Sequence, residues 1–324
     1  MRNWRAKTAV IVAVSALALS ACSSDDSDES GNGGSGGDGE NLSGDIAIDG
    51  SSTVAPLSEA AAQLFMAENP DVRISVGTSG TGGGFEKFCN GETDLSDASR
   101  EIEEDEIAAC EGNGIGFDAV QVANDALSII VNPNNPVECL TVEQARQIWD
   151  QDSPVSDWSD IEGVDAGDLG EVTLYGPGTD SGTFDYFTEA INGEEGRIRT
   201  DYTDIGEDDQ AAITGVEGDE AAMAFVPYSF VQQAGDAVKS LQIDNGEGCV
   251  DATLENVQSG SYAPLGRALY VYGSDQALAK PEVVEFLRFY LDNSTDIAEA
   301  ATFVPMTQEQ IDAGHATIEE LAGS

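Results

Sequence analysis

From Gly44 onward, short β-branched runs alternate with stretches of helical apolar spacing, and that alternation restricts the chain to α/β architecture. Asp45 to Asp49 (Asp-Ile-Ala-Ile-Asp) alternates as a strand does. Pro56 then stands where a first helical turn tolerates it. Val54, Leu57, Ala61, Leu64 and Phe65 form one apolar face down to the break at Asn69-Pro70. Further strands are expected at Val72 to Val76, Asp94 to Ser99, Leu127 to Val131, Val172 to Tyr175, Met223 to Tyr228 and Ala268 to Tyr272. Helices are expected from Phe85, through the acidic stretch ending at Cys110, over Thr141 to Trp149, from Phe184, and from Pro281, with Val284, Leu287, Phe289 and Tyr290 on its core face. About 280 residues past the N-terminal region exceed one ordinary core, so two lobes are expected. The breaker cluster Asn132-Pro133-Asn134-Asn135-Pro136 marks the first crossing between them.

Within this pattern, Gly50-Ser51-Ser52-Thr53 and Ser181-Gly182-Thr183 each lead into a helix. A first helical turn carries unpaired N–H groups and the positive end of the dipole, and Ser and Thr hydroxyls add donors without bulk. Either segment alone reads as an ordinary N-cap. Two of them, far apart in sequence, point to one oxyanion gripped between two lobes. The cluster Gly77-Thr78-Ser79-Gly80-Thr81-Gly82-Gly83-Gly84 lacks the Gly-Lys-Ser/Thr of a nucleotide-binding loop, and reads as a strand-to-helix turn able to aim several N–H groups at one ligand.

Arg100 follows Asp97-Ala98-Ser99 at a strand end, where a guanidinium could hold an oxyanion through two parallel hydrogen bonds or pair with Asp97, Glu101 or Glu104. Asp97 and Asp94 are the candidate acceptors for a proton carried by the oxyanion, which would favour hydrogen phosphate over sulfate. Turn or capping roles are the plainer alternative for each. The single histidine, His315, has no partner at catalytic or ligand spacing. No histidine-based triad, metal centre or cofactor is expected, and no catalytic residue is assigned.

The ends and the composition set the compartment. Arg2, Arg5 and Lys7 precede an apolar run from Thr8 to Leu19, so residues 1–21 read as a signal peptide too short to span a membrane. Leu19-Ser20-Ala21-Cys22 resembles a bacterial lipobox, which makes Cys22 the lipidated first residue of the mature protein. Residues 22–43 are rich in Ser, Gly, Asp and Glu, and would form a disordered tether of roughly 25 Å root-mean-square reach. Four further cysteines in an exported chain favour two disulfides. Of three pairings, Cys89–Cys110 with Cys139–Cys249 is preferred because each pair stays within one expected lobe. The net charge is −48, and becomes −51 once the leader's three basic residues are removed. Such a surface disfavours nucleic acid and anionic surfaces as partners. It suits salty surroundings, where a Debye length of about 3 Å at 1 M screens self-repulsion.

The lipobox, Asp49-Gly50-Ser51-Ser52-Thr53-Val54-Ala55-Pro56-Leu57, Gly77-Thr78-Ser79-Gly80, Asp97-Ala98-Ser99-Arg100 and Gly178-Thr179-Asp180-Ser181-Gly182-Thr183-Phe184 together resemble the phosphate-binding lipoproteins of phosphate ABC importers, the PstS type. The likeness runs from about residue 45 to 310 with the motif order retained. It implies a two-lobed periplasmic-binding-protein fold (type II) with two hinge strands, lobe 1 from residues 44–130 plus 268–324 and lobe 2 from 131–267. It further implies contacts to inorganic phosphate from Thr53, the backbone of Val54, Ser79, Ser181, Gly182 and Thr183, to which the reading above adds Arg100. The implied partner is a membrane ABC permease, and the implied state a lipid-anchored extracytoplasmic monomer. The chain departs from well-known enterobacterial members in having Arg100 where they carry Asp and Pro177 where they carry Arg. The alternatives are another tetrahedral oxyanion (sulfate, molybdate or tungstate), a sensor that does not transport, and a secreted hydrolase built on Ser79 or Ser181.

Overall fold

The structure, a computed structural model, describes residues 42–322. The signal peptide, Cys22 and the tether up to residue 41 lie outside the described residues. The strands are β1 (Gly44–Gly50), β2 (Val72–Gly77), β3 (Leu95–Ala98), β4 (Phe117–Val131), β5 (Cys139–Thr141), β6 (Thr173–Gly176), β7 (Thr203–Asp204), β8 (Ala222–Pro227), β9 (Lys239–Ser240), β10 (Gln242–Asp244), β11 (Cys249–Val250) and β12 (Gly266–Ser274). The main sheet runs β2-β1-β3-β12-β4-β8-β6-β7, with β9 also on β4; β11, β10 and β5 form a small second sheet. β1 lies parallel to both β2 and β3, β12 is antiparallel to β3 and β4, and β4 is antiparallel to β8.

β4 organises the molecule. Its residues up to Ala126 pair with β12, and from Leu127 to Val131 they pair with β8. One strand thus belongs to both halves of the sheet. Only Leu127 to Val131 was expected as strand, because Asp118, Gln121, Asn124 and Asp125 interrupt the apolar pattern upstream. Tertiary contacts satisfy two of these. Asn124 forms an isolated bridge with Val304 and accepts from Gln121, and Asp125 faces Arg267 of β12.

The two largest of four hydrophobic clusters among the described residues lie on either side of the changeover. One packs Ile46, Ile48, Leu95 and Val271 of the sheet against α1 (Ala55–Glu68) and the helix Pro281–Asp292. The other gathers Trp149, Trp158, Phe187 and Phe225, with Phe187 stacked on Phe225 at 3.8 Å and Trp149 edge-on to Phe225 at 5.0 Å. Each such side chain contributes about 1.5–3 kcal/mol on full burial, so each half holds itself together. The α1 face departs from expectation at one position. Leu57, Ala61 and Phe65 are buried, whereas Leu64 is 48% exposed and Ser58 takes a fully buried place.

α2 (Thr81–Cys89) begins inside the glycine cluster rather than at Phe85. Close packing explains the glycine at 84: a Cβ there would lie 2.5 Å from the Gly50 Cα. Gly80, the N-cap, has φ +80, which a side chain would strain. Cys89–Cys110 ties α2 to α3 (Glu104–Gly112), and Cys139–Cys249 ties β5 to β11, the pairing preferred from the sequence. Phe289 of the helix Pro281–Asp292 is only partly buried, while Val283, Phe286 and Leu291 complete its core face.

Candidate functional site

The turn that leaves β1 is built by its own polar groups. The Ser51 N–H donates to the Asp97 carbonyl at 2.8 Å, and the Thr53 N–H donates to Ser51 Oγ at 3.2 Å. Val54, the N-cap of α1, is fully buried and offers no side-chain cap. On the far side, α4 (Val142–Trp149) and β6 lead to α5 (Gly182–Phe187), whose N-cap Ser181 makes no side-chain cap bond. Its hydroxyl is therefore available to something else.

Two adjoining cavities share Ser52 and Thr53. One, of about 210 Å³, brings Thr53 together with Ser181, Gly182 and Thr183, and with Asp125 and Glu207. The other, of about 200 Å³, is lined by Ser51, Ser79, Thr81, Arg100 and Arg267 from one side and by Asp185, Tyr186, Glu189 and Glu195 from the other. Thr53 is the common wall. The structure thus brings Thr53, Ser181, Gly182 and Thr183 to one cavity and Thr53, Ser79 and Arg100 to its neighbour. Val54 sits behind Thr53 and its side chain lines neither.

Arg100 and Arg267 differ in what already occupies them. Arg100 donates from Nη1 and Nη2 to the two carboxylate oxygens of Glu106 at 2.8 and 2.9 Å, from Nη1 to the Glu101 carbonyl at 3.1 Å, and its Nε lies 3.3 Å from Glu103. The Glu106 bonds raise its pKa above the usual guanidinium value. Arg267 donates from Nε and Nη2 to Asp125 Oδ2 at 3.3 and 3.2 Å, and from Nη2 to Thr53 Oγ1 at 3.3 Å. Its guanidinium lies 3.4 Å from the centre of the Tyr186 ring, and Glu189 stands 3.8 Å from Nη1. Among the described residues Nη1 of Arg267 makes no hydrogen bond, and its one charged neighbour there is Glu189, at ion-pair distance. Arg267 and Asp125 are 14% and 11% exposed, and burial pushes the Asp125 carboxyl upward while Arg267 opposes the shift.

The two acids named from the sequence lie elsewhere. Asp97 is fully buried beneath α1, where Oδ1 accepts from Ser58 Oγ at 2.8 Å and Oδ2 has no partner among the described residues. Burial pushes it up to about 8, the Ser58 bond working the other way. Asp94 accepts from Lys280 at 2.7 Å and from the Ala47 N–H at 3.0 Å. Neither lines the cavities, because Asp97 points to the helix side of the sheet and Asp94 stands just before the other end of β3. His315, on the last helix (Gln308–Ala322), lies 3.1 Å from Asp292 at the end of the helix Pro281–Asp292.

Sequence reasoning missed Arg267 and Asp125. Each lies beside an expected strand, and they meet only because β12 pairs with β4 in the register Arg267 to Asp125. The one local signal was the scarcity of cations, 13 in all with three in the leader.

The profile of the PBP superfamily domain matches residues 30–294. Phosphate-binding protein PstS of Staphylococcus saprophyticus is 33% identical over 283 residues, 86% of this chain and 86% of its own length. This chain belongs to the PstS family of the PBP superfamily. Protein SphX of Synechococcus elongatus is similarly related, at 39% identity over 264 residues, covering 81% of this chain and 77% of its own. The crystal structure of a possible phosphate binding protein from Planctomyces limnophilus superposes with a TM-score of 0.80 at 38% identity, covering 86% of this chain and 99% of that one. The fold is accordingly the two-lobed fold of the PBP superfamily.

Proposed function

We propose that this PstS-family protein is an extracytoplasmic receptor that binds inorganic phosphate between its lobes and passes it to a membrane ABC permease. The observation that carries the reading is that Thr53 stands with Ser181, Gly182 and Thr183 in one cavity and with Arg267 in the cavity adjoining it. Arg267 supplies the charge, its fork anchored by Asp125, and the hydroxyl and backbone groups supply neutral donors. Ser79 and Arg100 belong to the same cleft at its second cavity, Arg100 acting at the rim because Glu106 holds its guanidinium. The lobes are residues 44–130 with 268–324, and 131–267, hinged on β4 and β12. Lipidation at Cys22 would hold the protein, as a monomer, at the outer face of the membrane.

The side chains at hand favour binding over catalysis. Ser79 bonds directly to the Asp49 carboxylate, a group held below its usual range and hence a poor base. His315, the one histidine, is engaged with Asp292. The test is calorimetric titration of the mature protein, stripped of bound anion, with phosphate, sulfate and molybdate. One-to-one phosphate binding with little response to sulfate is the expected result. A preference for molybdate or sulfate, or no phosphate heat at all, refutes the assignment.

A further inference from the structure

We propose that Asp49 fixes the hydrogen-bond polarity of Ser79, so that this hydroxyl meets the ligand as an acceptor and selects an oxyanion carrying its own O–H. The inference rests on the phosphate reading and names how that site tells protonated oxyanions from bare ones. Its basis is a count of protons around one carboxylate. Asp49, near the end of β1, accepts three bonds: from the Ser79 N–H at 3.1 Å and the Ser79 hydroxyl at 2.5 Å, both on Oδ1, and from Lys87 Nζ at 2.6 Å on Oδ2. A serine hydroxyl has one proton. With that proton directed to Asp49, what Ser79 has left for the cleft is lone pairs.

The arrangement is held in place by its surroundings. The Asp49 side chain is 14% exposed, and at Gly77 a Cβ would come within 2.3 Å of Asp49 Oδ2, so the carboxylate lies directly against the glycine loop. Burial acts to raise the Asp49 pKa, but the Lys87 and Ser79 bonds outweigh it and hold the group below the usual carboxylate range. It therefore stays an acceptor through the neutral range, and the bond cannot reverse. Ser79 itself is exposed and lines the cavity beside Thr81 and Arg100.

An acceptor at this point discriminates by chemistry. Hydrogen phosphate and dihydrogen phosphate each carry a P–OH that can donate to Ser79 Oγ. Sulfate at neutral pH has none, and would place its lone pairs against those of the serine. Asp94 and Asp97 lie away from the cavities, and Ser79 adds to the carboxylates that line them a neutral acceptor whose direction is set from behind. Asp49 is in these terms a positioning residue.

Titrating phosphate and sulfate into the wild type, Ser79→Ala and Asp49→Asn tests this directly. Ser79→Ala is expected to weaken phosphate by about tenfold while sulfate binding holds or strengthens, so the phosphate-to-sulfate ratio falls about tenfold or more. In Asp49→Asn the new amide can donate to Ser79 Oγ, turning the hydroxyl proton toward the ligand, and sulfate binding should strengthen by about tenfold. If Ser79 is instead a donor, Ser79→Ala weakens both anions equally and the ratio stays put, which overturns the proposal. An unchanged ratio in a folded Asp49→Asn does the same, and thermal melts establish folding. Should Asp49→Asn unfold, the exposed Ser79→Ala decides alone. Wild type that binds neither anion removes the phosphate reading beneath the proposal, an outcome distinct from binding with unaltered selectivity.

Discussion

Replacing Arg267 by alanine is the most direct challenge to the proposed clamp. Two costs are expected, and they are separable. In binding, the variant loses one charge-assisted contact to the ligand, about 1.5–3 kcal/mol, which is a weakening of phosphate affinity by roughly 10- to 150-fold. In stability, Asp125 is left in place at 11% exposure without the cation that lies 3.2 Å away. Removing one member of such a buried pair costs about 3–5 kcal/mol. The second cost depends on pH. The Asp125 carboxyl is already raised by burial, and loss of Arg267 removes the group that opposed the shift. A carboxyl whose folded pKa exceeds its unfolded one contributes stability that is full below the unfolded value and is lost as pH rises through the folded value. The variant should therefore melt closer to wild type near pH 4 than near pH 8. Arg267→Ala with Asp125→Asn should recover stability at pH 8 while phosphate affinity stays low. Calorimetric titration and thermal melts at both pH values read the two costs. Phosphate affinity within twofold of wild type in Arg267→Ala would refute the clamp, and equal melts for the single and double variants would refute the buried-pair argument.

The other expectations are simpler. Arg100→Ala should change phosphate affinity far less than Arg267→Ala, since Glu106 already holds its fork; a loss as large as that of Arg267→Ala would return the clamp to Arg100. Asp97→Asn should flatten part of the pH dependence of stability, because the Asp97 contribution is full below about 3.8 and is lost as pH rises through about 8. The difference in unfolding free energy between that variant and wild type should thus grow in the variant's favour from pH 4 to pH 8, and a constant difference in denaturant melts counts against a buried titrating carboxyl. Breaking Cys139–Cys249 by paired alanine substitution should cost more stability than breaking Cys89–Cys110. The sequence separations are 110 and 21 residues, and the loop-closure entropy gained on unfolding differs by roughly 1–1.5 kcal/mol.

The fold was readable where local pattern and tertiary role coincide. β1, β2 and α1 announce themselves through alternation, a first-turn proline and an apolar face, and one core, the one shared with the helix Pro281–Asp292, takes up most of those residues. It was less readable where a contact distant in sequence changes what a residue can afford. The upstream part of β4 reads as polar until β12 supplies Arg267 opposite Asp125 and the C-terminal segment supplies Val304 opposite Asn124. Leu64 fails in the other direction, since its helical position matches the core face but nothing covers it. Gly84 lies in a cluster that reads as a turn aiming N–H groups at a ligand, and only the structure shows the strand backbone lying where its side chain would be.

The site divides along the same line, and the division bears on how an anion can be held in so acidic a protein. Its hydroxyl turns are local motifs and could be found one at a time. The cation could not be chosen that way, because both arginines of the cleft are paired with carboxylates, and what matters is how many N–H groups these leave. Glu106 and Glu103 take most of Arg100; Asp125 takes one edge of Arg267 and leaves Nη1 without a hydrogen bond among the described residues, with Glu189 at 3.8 Å. The pairing with Asp125 also leaves the clamp with little net charge, so attraction at a distance is weak and affinity must come from short directed contacts. A site of that kind reads the ligand's protons as readily as its charge. The commitment of the Ser79 proton to Asp49 is therefore as much a part of the cleft as the guanidinium itself.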